Sequence, residues 1–327
     1  NLRLVGSQWR RFEGNLENKR FDEVPESKDT KFTISVVNIE ENGQGGEFNI
    51  PYVLAPGISR DRDNTSVVER RLNEQSIQLC IEDLPDKNAN AAFKNVDLNL
   101  VNYGRVKMFL HAQSDNAQDN DLRAFLRLGT GFDNYYEIEV PLLITPTGTS
   151  DPAEIWPAEN EIDLSFDELY KAKSLRNSTK ISIDLPFTTT FGKYKITVVG
   201  NPKLSVVTNL MLGVRNPESA DESTYDVCIW GNELRVTDFN TTAGIAGNAS
   251  LYTKLADFAD ISLSTRYTAF GFGNVQSKIA ERTQESSFEY DISGKVNLDK
   301  FLPSKAGIKI PVFASYEKKT IRPEYDP

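Results

Sequence analysis

Tyr225-Asp-Val-Cys-Ile-Trp-Gly-Asn-Glu-Leu-Arg-Val-Thr237 is the stretch on which the fold class turns. Tyr225, Val227 and Ile229 alternate with Asp226, Cys228 and Trp230, and Leu234 to Thr237 follow after Gly231. A period of two on β-branched and aromatic residues predicts a strand on a sheet surface. Leu2-Arg3-Leu4-Val5 overlays Leu234-Arg235-Val236-Thr237, and both copies precede a polar stretch. The pair reads as the closing strand of a β-sandwich seen twice. Residues 1–14 would then be the closing strand of a truncated upstream domain, and residues 15–240 a complete domain.

Working outward, the same period marks Phe32–Ile39, Gln75–Ile81, Val96–Leu100, Arg105–Gln113, Leu122–Leu128 and Tyr135–Val140. It resumes at Ile181–Leu185, Tyr194–Val199 and Leu204–Val214. Between them lies one helix signal. Ser165 and Glu168 have capping-box spacing, Phe166, Leu169, Tyr170 and Ala172 form a stripe, and Asn177 is a candidate end. The expected fold is all-β: an antiparallel jelly-roll-like sandwich with one short helix.

After residue 240 the pattern changes. In Ser286–Leu298 the residues Phe288, Tyr290, Ile292, Gly294, Val296 and Leu298 share one face, and Glu289, Asp291, Ser293, Lys295 and Asn297 share the other. Ile308, Ile310, Val312, Ala314 and Tyr316 alternate likewise, after Ser250–Leu255 and Ile261–Ala269. Strands of about ten residues, apolar on one side and polar on the other, suit hairpins of a transmembrane β-barrel. A soluble sheet with one wet face gives the same alternation. On the barrel reading residues 241–327 are partial outer-membrane barrel strands. Phe288, Tyr290, Ile292, Val296, Leu298, Ile308, Ile310 and Val312 face lipid, and Glu289, Asp291, Ser293, Lys295 and Asn297 face the lumen. Four strands cannot close a barrel, so this is part of a larger one. The turns Ala256–Asp260 and Asp299–Gly307 are short and the link Gly271–Glu285 is longer, which puts the sandwich on the extracellular side.

The 327 residues carry a net charge of −10, which argues against nucleic-acid binding. A single histidine excludes a multi-histidine metal site. His111 lies in an apolar strand and reads as a hydrogen-bonded core residue rather than a catalytic one. Cys80 and Cys228 each sit between apolar neighbours. Buried free thiols are the first reading and a disulfide is the alternative if the chain is exported. Asp115, Asp119 and Asp121 are a weak calcium candidate without EF-hand spacing. Glu154, Glu159, Glu161 and Asp163 form an acidic run that reads as solvated loop rather than a paired-carboxylate site. No catalytic or cofactor-binding residue emerges.

Several segments carry a family resemblance. They are Phe32-Thr-Ile-Ser-Val-Val-Asn-Ile-Glu-Glu-Asn42, Ile50-Pro-Tyr-Val-Leu-Ala-Pro-Gly-Ile-Ser-Arg60, Asn73-Glu-Gln-Ser76, Lys107-Met-Phe-Leu-His-Ala112, Leu210-Met-Leu-Gly-Val-Arg-Asn-Pro217 and Trp230-Gly-Asn-Glu-Leu-Arg235. In collinear order they resemble the SprA/Sov family of very large outer-membrane proteins of Bacteroidota. The resemblance implies an internal fragment of the type IX secretion translocon, a non-enzymatic, protein-conducting barrel with an extracellular cap. It implies folded cargo with a C-terminal signal, gliding-motility adhesins among that cargo, a PorV-type shuttle barrel, a plug protein and outer-membrane lipid as partners. A cell-surface carbohydrate-binding or adhesin sandwich is the alternative, with Trp9 and Trp156 as candidate sugar platforms.

Overall fold

Alternation along the chain becomes eighteen strands among the described residues of a computed structural model. The structure describes residues 9–13, 16, 30–44, 50–60, 62–63, 70–241, 244–274, 276–277, 281–303, 305 and 307–324. The first strands are β1 (Arg10–Arg11), β2 (Lys31–Asn38), β3 (Arg62–Asp63), β4 (Arg70–Arg71), β5 (Gln75–Leu84) and β6 (Asn88–Leu98). Next come β7 (Arg105–Gln113), β8 (Arg123–Gly129), β9 (Tyr135–Pro141), β10 (Ile162–Ser165), β11 (Phe187–Phe191) and β12 (Tyr194–Val199). The last are β13 (Val207–Asn216), β14 (Tyr225–Thr237), β15 (Ala246–Leu255), β16 (Ala259–Thr268), β17 (Glu285–Asn297) and β18 (Pro311–Pro323). Two helical turns, α1 (Ile39–Asn42) and α2 (Pro152–Ile155), accompany one true helix, α3 (Phe166–Ser178). The chain divides into two units, Asn1–Phe239 and Asn240–Pro327.

The first unit is a sandwich. A sheet ordered β1-β6-β13-β8-β9-β12-β11 faces one ordered β10-β7-β14-β5-β2, with antiparallel pairing throughout. The chain alternates between sheets through β5, β6, β7 and β8, and again at β13 and β14, as a jelly roll does. The inner faces bury Ile77, Leu79, Leu110, Leu126, Ile138, Leu212 and Ile229 in one core. Each such side chain removed from water contributes about 1.5–3 kcal/mol. Gly231 faces the opposing sheet at close range. A Cβ there would lie 2.7 Å from a Leu212 methyl, so no larger residue fits without a shift.

The helix begins as its sequence predicts: the Ser165 hydroxyl accepts the Asp167 N–H at 3.3 Å. It buries Phe166, Leu169 and Ala172 and runs past Asn177 to end at Thr179.

The second unit is a four-stranded meander, β15-β16-β17-β18, with unbroken register across all three pairs. It does not close on itself. Ala259 is the single buried hydrophobic among this unit's described residues, so the sheet has no core of its own.

Several expectations are corrected. Ile181–Leu185 is not a strand: Leu185 N–H bonds back to the Ser182 carbonyl in a turn, and the neighbouring strand is β11. Ile308 and Ile310 precede β18, which starts at Pro311, so the β17–β18 link spans residues 298–310 and is longer than expected. The overlay at Leu2–Val5 lies outside the described residues. Within residues 1–14, the described β1 pairs with β6.

Candidate functional site

Cross-strand register sorts the second unit's side chains into two faces, because directly opposed residues share a face. One row reads Leu251, Leu263, Ile292 and Tyr316, and the next but one reads Leu255, Ala259, Val296 and Val312. Toward the other end the same face carries Tyr267 beside Phe288. The opposite face has its own rows. Asn248, Arg266, Glu289 and Lys319 form one, and Tyr252, Ser262, Ser293 and Ser315 another. Thus Phe288, Tyr290, Ile292 and Val296 share a face with apolar neighbours on three other strands, broken on β18 by Lys318 opposite Tyr290, while Phe313 and Ile321 of β18 fall on the other face. Glu289, Asp291, Ser293, Lys295 and Asn297 share the polar face. Alternation in one strand could arise by chance; alternation in phase across four defines a surface. Both faces stay open: on the apolar face Leu251 is 60%, Ile292 44% and Tyr316 56% exposed, and on the other Tyr252 is 66% exposed.

A second candidate is a cleft of about 920 Å³ over the outer face of the five-stranded sheet. Thr33, Ser35, Gln78, Gln113, Asp226 and the Cys80–Cys228 pair line it. These cysteines are opposed on β5 and β14 and form a disulfide with Cα atoms 4.1 Å apart. The first reading, two buried thiols, is therefore overturned. The pairing joins residues 148 apart in sequence, a register no local pattern reveals. Beside the cleft, Tyr52, Phe109, Trp156 and Trp230 form a closed cluster under residues 50–58 and α2. Trp156 is 2% and Trp9 7% exposed, so neither offers a flat platform to a sugar.

His111 belongs to that cluster. It stacks on Trp230 at 3.9 Å, and its ring nitrogens reach the Ile155 carbonyl at 2.9 Å and Gln113 Oε1 at 3.1 Å. Burial pushes its pKa down to about 4, so the ring is neutral at pH 7. A neutral ring has one N–H: with Nε2–H donating to Gln113, Nδ1 accepts from the Thr145 hydroxyl at 3.0 Å, which makes it a satisfied core histidine.

The acidic candidates do not converge. Asp119 accepts the Ile144 N–H and Asp121 the Gln118 N–H, both at 2.8 Å, while Asp115 borders the cleft. Among the described residues no three His, Cys, Asp or Glu groups assemble as metal ligands. Asp163 pairs with Arg105 at 2.5 Å and Lys107 at 2.8 Å, whereas Glu154 accepts from Thr149. Lys193 binds the backbone carbonyls of Ala158, Glu159 and Glu161.

Sequence reading missed a buried charge network on the outer face of the seven-stranded sheet. Arg127 Nε donates to Glu137 at 2.5 Å, and Arg215 bridges Glu137 and Glu139. Burial alone would raise the Glu137 carboxyl, but Arg127 and Arg215 hold it down at about 2. The available signal was opposite charge at alternate positions of neighbouring strands.

The sequence model of the family SprA_N, described as motility related/secretion protein, matches residues 1–327. No curated protein matches the chain. Among solved structures, a chain from a structural analysis of an exo-beta-agarase is similar over 71% of this chain and 25% of its own, at 12% identity and a TM-score of 0.31. The chain thus spans about a quarter of that protein's length, and a likeness so remote bears on neither fold nor function. Among the described residues no helix is long and apolar enough to cross a membrane, which leaves strand-built membrane proteins untouched.

Proposed function

The chain belongs to the SprA_N family of motility-related and secretion proteins, and from that premise we propose that it is a segment of a protein-conducting outer-membrane translocon of type IX secretion. In this reading residues 246–323 are part of a barrel wall. Their apolar face meets outer-membrane lipid and their polar face a hydrated passage. The sandwich is a non-catalytic cap. Its chain enters β15 at the end opposite the 256–258 turn, and barrels keep their short turns periplasmic, so that turn, now without the longer 298–310 link beside it, is what supports an extracellular cap. Cargo would be folded proteins with a C-terminal signal, including gliding adhesins, assisted by a PorV-type shuttle barrel and a plug protein.

The observation that carries the proposal is the phase-matched division of four strands into an apolar and a polar face. The disulfide adds support, since such bonds persist in oxidising compartments outside the cytosol. The carbohydrate-binding alternative is less well supported, because its two candidate aromatics are buried.

Accessibility labelling in intact membranes tests the reading. Ser293→Cys should react with a water-soluble maleimide, whereas Ile292→Cys should resist it and react with a lipid-phase probe. Equal labelling of both positions from water would refute a lipid-facing sheet.

A further inference from the structure

We propose that the described residues of the β17–β18 link, 298–303, 305 and 307–310, form an interfacial anchor that seats among anionic phospholipid headgroups at one end of the four-stranded sheet. The inference rests on the barrel-wall reading above. The Leu298 N–H bonds to the Ile310 carbonyl at 2.9 Å, which carries the β17–β18 register one row beyond Val296 and Val312. Leu298 and Ile310 therefore end the apolar face. Phe288, near its other end, is ten residues from Leu298 in sequence. At about 3.4 Å per residue and a strand tilt of ~35–45°, that run is about 24–28 Å tall. The lipid-facing band of an outer-membrane barrel is about 25 Å, so the interface falls just past Leu298.

A second aromatic group sits at that level. Phe258 and Phe301 meet edge to face with centroids 5.3 Å apart, and Phe301 is 74% exposed. At the far end Tyr267 opposes Phe288. Aromatic residues at both limits of the band are what a membrane with two interfaces selects. Cations follow the aromatics: Lys300 pairs with Asp257, and Lys305 and Lys309 are exposed. Ammonium groups just beyond an apolar band suit lipid phosphates, whereas a loop standing free in water leaves the exposure of Phe301 without a cause.

Depth-resolved quenching in the full-length protein tests this. The fluorophore NBD is attached at Leu302→Cys, which leaves Phe301 in place, and separately at Ile292→Cys. The vesicles contain phosphatidylethanolamine and phosphatidylglycerol. Leu302→Cys should lose more emission to a headgroup-level nitroxide lipid than to a mid-chain one, and Ile292→Cys the reverse. If Ile292→Cys behaves so while Leu302→Cys is quenched only by aqueous iodide, the anchor is refuted and the wall reading stands. If neither label responds to nitroxide lipid, both fall. Lys305→Glu with Lys309→Glu should lower headgroup quenching at Leu302→Cys and leave Ile292→Cys unchanged; no change at Leu302→Cys would refute the role given to the lysines.

Discussion

Removing the Cys80–Cys228 bridge should shift the stability of the sandwich by an amount its topology sets. The bond closes a loop with a sequence separation of 148. Loop-closure entropy for that length is worth about 5 kcal/mol at 25 °C, the upper end of the ~2–5 kcal/mol that native bridges contribute. All three tryptophans, Trp9, Trp156 and Trp230, lie in the unit Asn1–Phe239, so intrinsic fluorescence reports that unit alone. With a urea dependence of about 2–3 kcal/mol per M, reduction should lower the unfolding midpoint by about 2 M. A Cys80→Ser, Cys228→Ser double variant should unfold at the reduced midpoint with or without reductant. Thiol titration of the unreduced chain in urea should find no free thiol. Two thiols there would refute the bridge and remove the oxidising-compartment support it lends. An intact bridge whose reduction left the midpoint unchanged would refute the loop-closure estimate.

His111 is held neutral by burial down to about pH 4, so the unfolded chain, near 6.5, takes up its proton first as the medium acidifies. That contribution is complete above about pH 6.5 and is lost progressively toward pH 4; it amounts to about 3 kcal/mol, and urea midpoints of a His111→Gln variant should lack this limb. Glu137→Gln leaves Arg127 and Arg215 short of their buried counter-charge and should cost about 3–5 kcal/mol in the same assay. By contrast, Glu82→Gln at the exposed Lys31 pair should cost under about 1 kcal/mol. On the four-stranded sheet, Ile292→Lys should weaken folding into vesicles by about 2–4 kcal/mol while Ser293→Lys on the polar face is near neutral, measured as the folded fraction against urea.

Legibility in the sequence tracked how local each determinant was. The alternation of β14 and β17 was readable because it lies within one strand. Ser165 announced its helix through a hydroxyl two residues from the amide it caps. Ile181, Ile183 and Leu185 alternate equally well, yet no strand pairs with them, and all three remain 41–52% exposed. Conversely, Asn88-Ala-Asn-Ala-Ala92 has little strand propensity but is drawn into β6 by pairing with β13. The charge network was missed because Arg127, Glu137 and Arg215 occupy positions that ordinarily face water. Here they are buried beside Leu16, whose carbonyl lies 3.5 Å from Arg127. The disulfide and the cleft likewise depend on register between distant strands.

What most constrains function is the uncovered apolar face. Leu251, Leu255, Ile261, Leu263, Tyr267, Phe288, Ile292, Val312 and Tyr316 share it by register. All but the half-buried Leu263 stand 38–60% open. Covering the face would remove enough apolar area from water to contribute on the order of 10 kcal/mol, comparable with the whole stability of a typical domain. A four-stranded sheet that forgoes this has no reason to persist in water. Something therefore covers it, either a second protein layer or lipid. A protein layer needs apolar surface along the whole face and sets no rule for where its aromatic residues fall. Lipid does set one. Tyr267 and Phe288 lie toward one limit of the face and Phe258 with Phe301 just past the other, with lysines beyond that second limit; the rows between carry Leu251, Leu263, Ile292, Val296 and Val312 together with the rings of Tyr290 and Tyr316. That ordering along the strands favours a bilayer as the missing cover.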